Sequence, residues 1–241
     1  LKLEVPPPKM SPTSHAFDPV ALREYDIRGI VGKTLAEPDA YAIGRTFGTI
    51  IRRSGGTRVA VGYDGRLSSP MLEAALVKGL TEAGIDVVRT GLGPTPMLYY
   101  AEAVLDKVDG GIQITGSHNP ADYNGFKMVK AHGPFYGEDI QTLGKMAAAG
   151  DWEAGSGTVT AHDIEDDYVA RLARDYKGRA FRIGWDAGNG AAGRVVEKLT
   201  AILPGEHHLL FTEIDGRFPN HHPDPTVEEN LADLKRLIAE K

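Results

Sequence analysis

An α/β fold is what this 241-residue sequence predicts. Helix-periodic and strand-like segments alternate along it. Hydrophobic residues make up 41% of the chain, enough for a sizeable core, and the length suits one large or two ordinary domains.

The elements follow in order. Asp39 to about Arg53 reads as helix, with Ala42, Ile43, Phe47 and Ile50–Ile51 near one face. Arg58-Val-Ala-Val61 reads as a short strand ending at the Gly62-Tyr-Asp-Gly65 turn. Ser68 or Ser69 is placed to cap the next helix, with Pro70 in its first turn and Met71, Leu72, Ala75, Leu76 and Leu80 on its apolar face. Ile85-Asp-Val-Val88 is the next strand, and a helix runs from about Thr95 to Ala103. The run Val108 to Ile114 is a strand that delivers the chain into a loop at Ser117.

Small and polar residues between Ala147 and Thr160 mark an inter-domain break. A helix from Ile164 to about Tyr176 and a strand at Phe181–Trp185 follow. Thr226 to Lys241 reads as one amphipathic helix with Leu231, Leu234, Leu237 and Ile238 on a stripe; Thr226 and Glu229 form a capping-box pattern. Residues 1–17 are expected to be a flexible, Pro-rich arm, 18–150 a first domain, and 151–241 a second.

Composition closes several routes. The chain has no cysteine, which excludes disulfides, thiolate catalysis and zinc–thiolate sites. The net charge is −6 and no long basic run occurs, which argues against a nucleic-acid partner. No apolar stretch is long enough to span a membrane, and Leu1–Met10 lacks the apolar core of a signal peptide. A soluble, cytoplasmic protein is the expectation.

The densest chemistry lies in Thr115-Gly-Ser-His-Asn-Pro120. A small hydroxyl on a sharp turn after a strand is where a fold presents a nucleophile, and open α/β sheets place ligands at the carboxyl ends of their strands. His118 is a titratable neighbour, and Lys127 follows as a candidate for proton transfer or anion binding. Three readings compete: a turn whose Ser and Asn side chains bond their own backbone, a hydrolase elbow, and a serine that carries a phosphoryl group. The elbow needs Gly-x-Ser-x-Gly, and Asn119 occupies the final glycine position.

The loop resembles the active-serine loop of the α-D-phosphohexomutases, and the resemblance runs on in that family's order. Glu24-Tyr-Asp-Ile-Arg-Gly29 is similar to its amino-terminal signature. Gly62-Tyr-Asp-Gly-Arg66 with Ser68-Ser-Pro70, Gly91-Leu-Gly-Pro-Thr-Pro96, and Gly184-Trp-Asp-Ala-Gly-Asn-Gly-Ala-Ala-Gly193 are similar to its later loops. Thr-Gly before the Ser-His-Asn-Pro core resembles the phosphomannomutase/phosphoglucomutase branch.

The resemblance implies a mixed-sheet, three-layer αβα domain followed by a second, incomplete domain of similar type. It implies phosphoryl transfer between the 1 and 6 positions of mannose or glucose phosphates, through a phosphoserine at Ser117 and a hexose 1,6-bisphosphate that also serves as activator. His118, Lys127 and Arg28 become the candidate catalytic groups, with Tyr25, Arg28 and Lys127 facing the substrate. Mg²⁺ is expected on an oxygen of phosphorylated Ser117, its other ligands lying past Lys241. On this reading the parent is a monomer that takes small hexose phosphates and neither nucleic acid nor membrane. The 241-residue chain alone is expected to be inactive and to self-associate through its unfinished second domain.

Other readings stay open beside it. One is a non-catalytic domain that only binds phosphate. Another is a dinucleotide-dependent oxidoreductase, because Gly188-Asn-Gly-Ala-Ala-Gly193 fits Gly-x-Gly-x-x-Gly after a strand; Asp215, the acidic residue near the right distance, sits instead in a turn-rich loop. His207–His208 and His221–His222 lack the i, i+4 spacing of a helical metal site and read as surface or structural histidines. Arg66 reads as a structural partner of Asp64.

Overall fold

The computed structural model describes residues 12–241. Two units of unequal size follow one another. In the first, strands β1 (Ile27–Ile30), β2 (Arg58–Tyr63), β3 (Asp86–Leu92), β4 (Gly110–Ile114), β5 (Tyr123–Lys130), β6 (Gly133–Phe135) and β7 (Val159–Ala161) form one seven-stranded sheet. Its order is β1-β5-β4-β2-β3-β7, with β6 beside β5. The β4, β2, β3 and β7 strands run parallel, while β5 lies antiparallel to β1, β4 and β6. The sheet is therefore mixed, as the resemblance implied.

Period-two burial builds the layers. Val59 and Val61 of β2 enter the main core with Phe47, Ile51, Leu72, Leu76 and Leu80, contributed by α1 (Glu37–Arg53) and α2 (Ser69–Glu82). Ala60 points the other way and packs on Leu98 of α3 (Thr95–Val104). Helix α4 (Glu138–Ala149) adds Ile140, Leu143 and Ala147 to the main core. Helices thus cover both faces, the arrangement that fully buried strands such as β4 require.

The helix after Ser68 begins where expected, but the serine hydroxyls do not cap it. Ser69 Oγ donates to Asp64 at 2.7 Å, and Ser68 Oγ accepts from Asn124 Nδ2 at 2.9 Å. The start of the arm, residues 1–11, lies outside the described residues. From Pro12 on, the chain is docked: the His15 amide donates to the Ala147 carbonyl, His15 pairs with Asp39, and Phe17 is in the core. The segment expected as a break is sewn down as well. Trp152 Nε1 donates to Thr46, Arg53 pairs with Asp151 and Glu153, and β7 joins the first sheet as an edge strand.

The second unit holds a parallel pair, β8 (Phe181–Asp186) and β9 (Gly205–Leu210), connected through α6 (Gly193–Ile202). Helix α5 (Glu165–Arg174) and α6 pack on α3 through Ile164, Tyr168, Val169, Val195, Met97 and Ala101. The single terminal helix predicted from Thr226 is corrected. Thr226 bonds Asp224 in a turn, Glu228–Leu231 is a 3₁₀ turn, and α7 runs only from Ala232 to Glu240. Asp224 is a local acceptor for both the amide and the hydroxyl of Thr226, so the capping box never forms.

Candidate active site

Ser117 stands at the carboxyl end of β4 beside the turn that ends β2, and its side chain is exposed. Its φ of +55° is left-handed, a conformation that non-glycine residues adopt only where the surroundings enforce it. The enforcement is visible. Arg66 is 2% exposed. Its guanidinium donates to four carbonyls of the loop: Ser117 at 3.1 Å, Asn119 at 2.7 Å, Tyr123 at 3.0 Å, and Pro120. Its Nε donates to Asp64 at 3.2 Å. Asp64 in turn accepts from the Gly116 amide at 3.1 Å and the Ser69 hydroxyl at 2.7 Å.

A planar fork with five donors suits a ring of carbonyls better than an ammonium would. Burial pulls the Arg66 guanidinium below its ordinary pKa; the Asp64 charge opposes this, and the Arg28 charge adds to it. Gly116 is required here, because a Cβ would run into the guanidinium. Asn119 Nδ2 bonds the Gly116 carbonyl at 3.0 Å, so the turn-closing reading of that side chain also holds. Ser117 Oγ, by contrast, contacts His118 Nδ1 at 3.4 Å as its one hydrogen-bonding partner among the described residues.

The remaining candidates gather around Asp26, which the sequence reading did not single out. Asp26 is 5% exposed. Its Oδ2 accepts from Arg28 and from Lys127 Nζ, the latter at 3.3 Å. The antiparallel register of β1 on β5 sets Arg28 opposite Gly125 and so brings the two cations to one carboxylate. Tyr25 is 74% exposed and stacks on Tyr136 with ring centroids 6.3 Å apart. Tyr25 and Lys127 line a cavity of about 830 Å³ with Tyr99, Glu102 and His132. Ser117 lines a separate cavity of about 210 Å³ with Arg66, Thr95, Asn189 and Phe218. The structure thus divides the site residues into a serine loop with His118 and a cation pair with Tyr25.

The glycine-rich stretch of the second unit serves its own loop. A Cβ on Gly193 would strike the Thr212 carbonyl. Asn189 donates from Nδ2 to the Glu213 carbonyl at 2.9 Å, and its Oδ1 accepts from Asn220 at 2.8 Å. His221 pairs with Asp186 at 3.0 Å, a structural contact. Asp224 is held below its usual pKa by the hydroxyl and amide of Thr226. The second unit faces the serine loop, since Asn189, Phe218 and Pro223 line the same cavity as Ser117. Among the described residues, no three His, Asp or Glu side chains gather into a cation site, so the residues present do not by themselves fit magnesium. No helix among them is long and apolar enough to cross a membrane.

Comparison with known proteins agrees with this architecture. Residues 20–152 match the model of phosphoglucomutase/phosphomannomutase alpha/beta/alpha domain I, and residues 166–241 match that of domain II. A phosphomannomutase/phosphoglucomutase of Pseudomonas putida is 48% identical over 219 residues, covering 90% of this chain and 47% of that protein. A phosphoglucomutase of Neisseria gonorrhoeae is 46% identical over 215 residues, 88% of this chain and 46% of its own. A crystal structure of a phosphoglucomutase/phosphomannomutase family protein from Burkholderia thailandensis superposes with a TM-score of 0.89 at 45% identity, covering 93% of this chain and 51% of that one. The chain spans about half the length of the curated relatives it matches. With both domain models matched in order on the fold just described, the chain belongs to the phosphoglucomutase/phosphomannomutase family.

Proposed function

We propose that the protein interconverts hexose 1-phosphates and hexose 6-phosphates of glucose or mannose, an isomerase reaction, with Ser117 as the phosphoryl carrier. The observation that carries this reading is the exposed Ser117 hydroxyl on a left-handed turn that Arg66 clamps by its backbone alone. The loop backbone is pinned and the Oγ is exposed, which is what in-line transfer to and from an oxygen demands.

In the forward half, a free hydroxyl of the hexose phosphate attacks the phosphorus of phosphoserine, its proton passing to solvent water in the cleft, and the bond from phosphorus to Ser117 Oγ breaks. His118, 3.4 Å from that oxygen, gives it a proton. The 1,6-bisphosphate then returns its other phosphoryl group to Ser117 Oγ, His118 takes the Oγ proton back, and the departing sugar oxygen regains a proton from water. Arg28 and Lys127 neutralise phosphate oxygens in the cleft that Tyr25 borders. Asp26 holds both cations in place, and we assign Lys127 a phosphate contact rather than proton abstraction.

A phosphoserine oxygen at Ser117 would be this chain's one ligand, among the described residues, to a magnesium ion, which would supply Lewis-acid polarisation when bound. The chain's own contribution is the geometry of the carrier and the cation pair. We further place the protein in the cytoplasm, as a monomer with hexose 1,6-bisphosphate as activator.

Treating the full-length protein with glucose 1,6-bisphosphate tests the reading. Peptide mass analysis is expected to find one phosphoryl group on Ser117 and none in Ser117→Ala. Equal labelling of the alanine variant would dispose of the proposal.

A further inference from the structure

The loop that carries Ser117 is held from below by the second unit. The Phe218 ring lies on the Arg66 guanidinium, 5.1 Å from ring centroid to Cζ, on the same arginine whose donors hold the carbonyls of Ser117, Asn119, Pro120 and Tyr123. Phe218 is itself fixed in place. Its φ is +52°, its amide donates to the Asp215 carbonyl at 2.9 Å, and the Asp215 amide donates to the Asn189 carbonyl at 3.0 Å. Asn189, 3% exposed, ties both ends of that loop through Glu213 and Asn220.

The two units also meet without slack. A Cβ on Gly65 would strike Ile214, and a Cβ on Gly216 would strike the Gly65 carbonyl and the Arg66 backbone. Gly216 is buried in that contact. The turn bearing Arg66 is thus pinched between the serine loop on one side and residues 214–218 on the other.

We infer that Phe218 is a positioning residue for Ser117, acting through Arg66, so that the seating of the second unit sets the geometry of the serine loop. Two features of the contact support this. A ring face over a desolvated guanidinium attracts it more strongly than it would in water. An arginine already engaged by four carbonyls and one carboxylate cannot shift without moving all of them, because its fork is planar and rigid. Moving Phe218 therefore displaces the loop carbonyls rather than one flexible side chain. In its kinetic arm the inference rests on the reading of Ser117 as phosphoryl carrier.

The test uses the full-length protein with Phe218→Ala, Phe218→Leu and Phe218→Tyr. Amide hydrogen exchange is followed over residues 115–123 and, as an internal control, over α1. Phe218→Ala is expected to speed exchange in 115–123 by about tenfold while α1 is unchanged, since local opening is governed by local contacts. Phe218→Tyr keeps the ring face and is expected to retain wild-type exchange. Phe218→Leu keeps the bulk without the ring face and is expected to fall between them, and it replaces the alanine variant should that one not fold.

In parallel, the maximal rate of hexose phosphate turnover is expected to fall about 10²-fold in Phe218→Ala with KM little changed, the signature of a misplaced reacting group. Wild-type exchange over 115–123 in both Phe218→Ala and Phe218→Leu overturns the inference. Absence of phosphoryl label and turnover in the wild type would overturn the carrier reading instead, and the exchange measurement would still decide the contact.

Discussion

Asp26 shows how one carboxylate can shape the reactivity of two cations. Arg28 and Lys127 read from sequence as separate basic groups facing the substrate. The structure separates them. The Arg28 side chain is 12% exposed and that of Lys127 25% exposed, both on an Asp26 carboxylate that is buried. Arg28→Ala removes the more buried partner and is expected to lower unfolding free energy by about 2 kcal/mol, the scale of a charged hydrogen bond. Lys127→Ala is expected to cost less than about 1 kcal/mol. Both are expected to slow turnover by about 10²–10³, as for a lost donor to a developing anion. Lys127→Ala is therefore the cleaner probe. Urea midpoints of the two variants beside their turnover numbers check the split; equal stability losses would remove the distinction. Gly116→Ala addresses the other half of the site. Its methyl group meets the Arg66 guanidinium, so a loss of about 1–3 kcal/mol from overpacking is expected in the same titration.

At the scale of elements, the carboxyl end of β8 is tied to the proline-rich loop by His221 and Asp186. Burial lowers the His221 pKa, but the bonds to the His222 carbonyl and the Asp186 carboxylate outweigh it, with Asp233 adding to the raising charges, so the net shift is upward. A group whose folded pKa is raised stabilises the fold fully below its unfolded value, about 6.5 for histidine, and that stability is lost as pH rises through the folded value. The second unit is therefore expected to become easier to unfold as pH rises above about 6.5. Asp186→Asn is expected to flatten that slope. Urea unfolding followed by tryptophan fluorescence in a Trp152→Phe background, where Trp185 of β8 is the reporter, measures it; a slope unchanged in Asp186→Asn would assign the pH dependence elsewhere. The terminal helix belongs to the same scale. Leu234, Leu237 and Ile238 of α7 approach Gly184 of β8. Three residues of the apolar stripe read from sequence thus meet β8, while the fourth, Leu231, falls in the 3₁₀ turn before the helix.

Across the whole molecule, the two units share an apolar seam and a polar one. The main core, from Phe17 to Ala147, lies entirely in the first unit. Met97 and Ala101 of α3, however, are covered by residues of α5 and α6. Arg194 of α6 pairs with Glu165 of α5 at 2.7 Å, and its guanidinium reaches the Leu92 carbonyl at 3.5 Å. A chain ending after His162 is expected to fold cooperatively, because its main core is complete. It should melt some degrees lower than the longer chain and bind a hydrophobic dye at the uncovered α3 face. Calorimetry and dye titration of the two chains decide it, and a shorter chain with no cooperative transition would show that the first unit depends on the second.

Much of this protein was legible in its sequence. The alternation of periodicities, with the apolar faces of α1 and α2, predicted an α/β core, because burying one face leaves a repeating pattern in the chain. The serine loop was equally legible, since Thr115 to Pro120 is contiguous and its turn chemistry is local. The edge strand β7 was missed because its three exposed residues carry no periodic signal. The terminal helix started late because Asp224 captured Thr226, a competition between two local bonds that the pattern of residues does not rank. Tertiary structure alone decided the rest. The convergence of Arg28 and Lys127 on Asp26 depends on the register of β1 against β5, and Arg66 becomes the clamp of the serine loop only once β2 and β4 lie side by side. Phe218 reaches that arginine from 152 positions away along the chain. Contacts of that range are written by packing, and a sequence read segment by segment carries no trace of which distant side chains will meet.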